Sequence, residues 1–153
     1  MSNHRATISW KCTSTGFTSG KYSREHTWSF DGGAVVPASP SPSVVPAPWS
    51  NPASVDPEEA YVAAVSSCHM LTFLYLAGKA GFHVDRYEDE AVGTMTKNER
   101  GTPWMSAITL QPKISYIGAK QPSAVEVEHL HHEAHDQCFI AQSIKTEVTV
   151  RAG

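Results

Sequence analysis

The feature that most constrains this 153-residue chain is one helix near its middle that is apolar on almost every face. Its start is clearly marked. Asp56 can cap, Pro57 suits the first helical position, and Glu59 completes a capping box with Asp56. The pattern predicts a helix from Pro57 to about Ala80, with Gly81 as its C-terminal stop. Between Tyr61 and Ala77 the apolar run is broken mainly by Ser66, Ser67, Cys68, His69 and Thr72. Such a helix needs cover on all sides, from sheet, from other helices or from a partner subunit.

The length fits a single compact domain over residues 1–153 and is short for two ordinary ones. A formal charge of -3 gives no electrostatic reason to expect a nucleic-acid or anionic-membrane partner. Met1 to Arg5 is polar and leads into no apolar run, so no signal peptide is expected. The longest apolar stretch, around Leu71 to Ala77, is too short to span a bilayer. The expected location is cytoplasmic, a reducing compartment. Three cysteines there are free thiols, metal ligands or redox groups rather than a disulfide framework.

Four blocks follow along the chain. His4 to Phe30 alternates like a hairpin, with Ile8, Trp10 and Cys12 on one face of a first strand. Tyr22, Arg24, His26, Trp28 and Phe30 share a face of the second, and Asp31-Gly32-Gly33 ends the pair. Residues 36–57 are rich in proline and serine, which excludes a helix or a central strand and predicts an extended segment over the surface. The helix with Cys68 is the third block. In the fourth, Val84 to Met95 and Trp104 to Ile117 read as two strands joined by a polar turn. Ser123 with Glu126 opens a helix to about Gln137, and Lys145 to Arg151 reads as a closing strand. This order of elements predicts an α+β fold.

Cys68 lies mid-helix, where a free cysteine is either packed as a small hydrophobe or reactive. Cys138 ends the apolar stripe Val127, Leu130, Ala134 of the second helix, so both cysteines face the core and form a candidate redox couple. Cys12, on a strand with Ile8 and Trp10, reads as structural. Arg24 either snorkels to water or turns inward among aromatics, where it needs a carboxylate. An inward arginine beside Cys68 would favour its thiolate. Glu58, free of the capping role, is the available carboxylate. Ten helical residues separate Glu58 from Cys68, roughly 15 Å at 1.5 Å per residue. A Glu58–Arg24 unit therefore serves Cys68 from a second subunit or across a bent helix. His129, His131, His132 and His135 cluster on the second helix, and His131 with His135 has zinc-compatible spacing. The chain lacks both CxxC and HExxH, so no metal site is assigned.

Asp56-Pro57-Glu58-Glu59 followed by Ala63-Ala64-Val65-Ser66-Ser67-Cys68 closely resembles the osmotically inducible protein C and organic hydroperoxide resistance (OsmC/Ohr) family. The stretch His131 to Ile140, containing Cys138, resembles an OsmC-like subgroup of it. The resemblance implies an α+β fold of antiparallel sheets with two long central helices in an intertwined homodimer. It implies thiol-dependent reduction of organic hydroperoxides. Cys68 matches the peroxidatic cysteine, Cys138 the resolving cysteine, Glu58 the glutamate and Arg24 the activating arginine. It implies no cofactor, only an external dithiol such as a lipoyl or thioredoxin-like protein. The long proline-rich block, His69-Met70 after the first cysteine and Phe139 after the second depart from the family pattern. A non-enzymatic ligand- or metal-binding protein and a redox sensor are the rival readings on the same fold.

Overall fold

The computed structural model describes residues 1–151, and the chain divides into two compact units, Met1–Ala60 and Tyr61–Gly153. In the first, β1 (Ala6–Ser9), β2 (His26–Phe30) and β3 (Val35–Ala38) form an antiparallel sheet in that order. The hairpin is shorter than its alternation suggests. Trp10, Cys12, Tyr22 and Arg24 lie outside the strands, and a 3-10 turn at Phe17–Ser19 occupies part of the connection. The reason is local: the Arg24 amide donates to the Trp49 carbonyl rather than to a neighbouring strand.

Asp31-Gly32-Gly33 ends the β1–β2 hairpin, as expected from sequence, and also turns the chain into a third strand, β3, which was not expected. Gly33 takes φ +94 there, a left-handed conformation that favours glycine. The proline-rich block thus contributes an edge strand, the position in which Pro37 costs least, because it has no amide hydrogen to donate. Beyond β3 the block folds back on itself. Val55 N donates to the Pro37 carbonyl, Ser39 N to the Val55 carbonyl, and Asn51 N to the buried Ser39 hydroxyl.

Helix α1 (Pro57–Lys79) begins with the reciprocal bonds its sequence predicts. Glu59 N donates to Asp56 Oδ1 at 2.7 Å and Asp56 N donates to Glu59 Oε2 at 3.1 Å. It ends before Gly81, which takes φ +87.

In the second unit the two expected strands are four: β4 (His83–Asp89), β5 (Val92–Lys97), β6 (Pro103–Leu110) and β7 (Pro112–Ile117). Both long runs break at the same level. There Gln111 N donates to Asp89 Oδ1 at 2.6 Å, and Gln111 Nε2 donates to the Glu90 carbonyl at 2.9 Å. The break sends β4 and β7 into one sheet, and β5 and β6 into another, where β8 (Glu147–Val150) adds in parallel to β6. Helix α2 (Ala124–Gln137) opens with the Ser123–Glu126 capping box.

The split gives α1 two cores. Its first half places Val65 against Ile108 and Leu110. Its second half places Phe73, Leu76 and Ala77 against Phe82, Leu130 and Ala134. Close approach on the first side is visible at Gly93, where an added Cβ would sit 2.6 Å from both Val62 Cγ2 and Met105 Sδ. By length and hydropathy α1 could cross a bilayer. Its buried residues, His69 among them, pack instead against sheet and helix, as a core helix does.

Candidate active site: two thiols at an apolar groove

Residues 64, 68, 71 and 75 recur at helical spacing, so Ala64, Cys68, Leu71 and Tyr75 share one face of α1. That face is opposite to the buried one. Leu71 is 61% exposed and Tyr75 65% exposed. With Phe139 and Ile140, which follow the end of α2, they line an apolar groove of about 810 Å³ that includes the half-buried Cys68.

Cys138 reaches the same place from the other helix. It is the C-terminal cap of α2, in extended conformation, with its amide donating to the His135 carbonyl at 3.3 Å. Its side chain is fully buried, and Sγ accepts from Ala141 N at 3.5 Å. Burial pushes the Cys138 thiol up first, because it disfavours the charged thiolate. The neighbouring Cys68 thiol pushes it further by hydrogen bonding and by charge repulsion, and the Ala141 amide offsets part of this. Both sulfurs are free, so the pair is in its dithiol form. The two thiols are neighbours, as expected, but only Cys138 is enclosed; Cys68, also expected to face the core, lies on the open face of α1 and borders the groove.

Arg24 and Glu58 lie in the Met1–Ala60 unit. The inward arginine was expected to need a carboxylate, with Glu58 as candidate, but among the described residues no such ion pair forms. Arg24 Nη1 instead donates to the Gly20 and Tyr22 carbonyls at 3.0 and 2.7 Å, and the guanidinium stacks 3.7 Å from the Tyr22 ring centroid. Two carbonyl dipoles and a ring face compensate the charge. Glu58 Oε2 is buried without a hydrogen-bond partner. Cys12 is exposed, and its Sγ donates to the Ser14 carbonyl at 3.3 Å.

The histidines separate into two groups. His129 and His132 are exposed and face Glu133 and Asp136 at helical spacing. His131 is buried and stacks on His69 at 5.3 Å between centroids, with His69 Nε2 and His131 Nδ1 3.0 Å apart. Phe73 stacks on His131 from the same core at 4.4 Å. Burial lowers both imidazoles to about 4, for His69 with further repulsion from His131 and His135. They are neutral at physiological pH. Among the described residues no three His, Cys, Asp or Glu side chains converge as a metal-ligand set. Sequence reasoning placed His131 on the apolar stripe of α2 but missed its partner. The signal was His69 recurring with Val65, Phe73 and Leu76 on the buried face of α1.

An α+β chain that brings a thiol from the middle of one helix beside a thiol at the end of another has a counterpart in a known family. The OsmC-like protein family matches residues 50–152, and the chain belongs to it. An OsmC-like protein of unknown function from Vibrio cholerae is 48% identical, with 100% of each chain covered and a TM-score of 0.97. An organic hydroperoxide resistance protein from Legionella pneumophila is 14% identical, with 99% of this chain and 96% of that chain covered and a TM-score of 0.70. The organic hydroperoxide resistance protein OhrB of Bacillus subtilis is 15% identical, with 99% of this chain and 98% of that one covered and a TM-score of 0.69. The last two share the fold. No curated protein matches the sequence.

Proposed function

We propose that this protein is a thiol-dependent peroxidase that reduces organic hydroperoxides through Cys68 and Cys138. The observation that carries this reading is the unequal pair of thiols: Cys68 borders an apolar groove, whereas Cys138 is buried beside it and held in the thiol form. That inequality supports the following division of the steps. The Cys68 thiolate attacks the distal oxygen of a hydroperoxide, breaking the O–O bond. The alcohol leaves after taking up a proton, and Cys68 becomes a sulfenic acid. Cys138 then displaces water from that sulfenic acid to give the Cys68–Cys138 disulfide. An external dithiol, of the lipoyl or thioredoxin type, returns both sulfurs to thiols by exchange and is itself oxidised. The apolar lining suits an organic peroxide, and no cofactor enters the balance.

The working unit in this proposal is a homodimer in the reducing cytoplasm. The uncovered apolar face of α1 is the surface a second copy covers, and Arg24 with Glu58 of one subunit serves the Cys68 of the other. The Arg24 charge stabilises the thiolate, and the unpartnered Glu58 carboxylate holds the arginine once the two chains assemble.

The test adds one equivalent of cumene hydroperoxide to the reduced full-length protein and maps disulfides by mass spectrometry. Rapid formation of Cys68–Cys138, lost in Cys68→Ser, is the expected result. A Cys68 that stays reduced, or a disulfide through Cys12, overturns the proposal. Raising the pH should also accelerate disulfide closure after the peroxide has been consumed, because more Cys138 is then ionised.

A further inference from the structure

Just after Arg24, strand β2 carries on one face two residues that the proposed chemistry leaves unused, His26 and Trp28. Their hydrogen bonds fit only one tautomer of the neutral ring. The indole Nε1–H of Trp28 can only donate, and it lies 3.1 Å from His26 Nε2. His26 Nε2 must therefore carry a lone pair. The ring proton sits on Nδ1, which donates to the Arg24 carbonyl at 2.7 Å. On its other side the Arg24 backbone is fixed as well, because its amide donates to the Trp49 carbonyl at 3.1 Å.

We infer that His26, locked in its Nδ1–H tautomer by Trp28, is a positioning residue that sets the Arg24 backbone and so the direction of its guanidinium. Arg24 precedes β2, outside the ladder that would otherwise hold its peptide groups. Its carbonyl has no strand partner, and the imidazole supplies the missing bond. With amide and carbonyl both held, the side chain can keep Nη1 on the Gly20 and Tyr22 carbonyls and its plane on the Tyr22 ring. This guanidinium then needs little reorganisation before it acts on a charge. The inference rests on the proposed role of Arg24 toward Cys68 and adds the residues that keep it oriented.

The test uses full-length protein carrying Cys12→Ser and Cys138→Ser, so that Cys68 is its one thiol. Two quantities are followed: the rate of Cys68 oxidation by cumene hydroperoxide, and the pH dependence of its alkylation by iodoacetamide. His26→Ala should slow oxidation about three- to ten-fold, the worth of one hydrogen bond, and shift the alkylation profile to higher pH. Trp28→Phe, which keeps an aromatic ring but removes the donor that selects the tautomer, should move both in the same direction by less. His26→Asn places an amide N–H where Nδ1–H was and should restore most of the rate, whereas His26→Gln should not. A merely structural histidine would lower the melting temperature and leave the alkylation profile in place.

Wild-type rates and profiles in both His26→Ala and Trp28→Phe, with Arg24→Met slowed, overturn the positioning role and leave the Arg24 reading standing. An unaffected Arg24→Met overturns both. If His26→Ala does not fold, Trp28→Phe and the contrast between His26→Asn and His26→Gln decide the question.

Discussion

The two faces of α1 are built from similar residues and meet different fates. On one, Val65, His69, Phe73, Leu76 and Ala77 are buried within their own chain. On the other, Leu71 and Tyr75 flank Cys68 and remain largely exposed. Hydrophobicity alone does not distinguish them, since both read as core. The difference is which neighbours the two sheets and α2 place against each face. The buried face sets the helix rigidly, and the open face presents a thiol on that rigid support.

The sharpest way to break this contrast is to truncate matched aromatics. Phe73→Ala should cost about 3–5 kcal/mol of unfolding free energy in chemical denaturation, through lost burial and the cavity left behind. Tyr75→Ala should change the unfolding free energy of the isolated chain by no more than about 0.5 kcal/mol. Equal losses would mean that the open face is covered.

The next effect is one of pH and concerns the buried face only. His69 and His131 sit at about 4 when folded, against 6.5 for an ordinary imidazole. The unfolded chain therefore binds protons that the folded chain refuses. The stability due to this pair is fully present above about 6.5, falls as pH drops toward 4, and is level below that. Chemical denaturation across that window should show a decline of a few kcal/mol, much reduced in His131→Phe.

Leu71→Arg is mild for the fold and the most informative for assembly. It should leave the melting of a single chain within a few degrees of the original. If the open face is a subunit contact, sedimentation should show a shift from dimer to monomer, and peroxide turnover should fall with it. Unchanged mass would remove the subunit-contact role of this face.

Asp56→Ala is smaller still. Loss of the capping box should cost about 1 kcal/mol, readable as a lower urea midpoint, with little effect on Cys68 three helical turns further along.

Much of the frame was legible because its signals are local. The capping boxes at Asp56 and Ser123 give the starts of both helices from a few adjacent residues. The stripe ending at Cys138 follows from helical periodicity. The four-strand division was not legible, because the breaks at Asp89 and Gln111 are made by side chains bonding across sequence-distant strands. β3 was hidden by Pro37, which argues against a strand unless the strand is known to lie at an edge.

The site divides along the same line. The sequence by itself singled out the candidate residues: a cysteine in a central helix, a second cysteine on an apolar helical stripe, an arginine among aromatics, and a glutamate at a helix start. Only the tertiary structure decided that the two thiols are neighbours of unequal burial, that Arg24 rests on carbonyls and Tyr22, and that His69 pairs with His131. The physical reason is range. Capping and periodicity act over a few residues, whereas burial, thiol pKa and tautomer depend on groups brought together across the chain by packing.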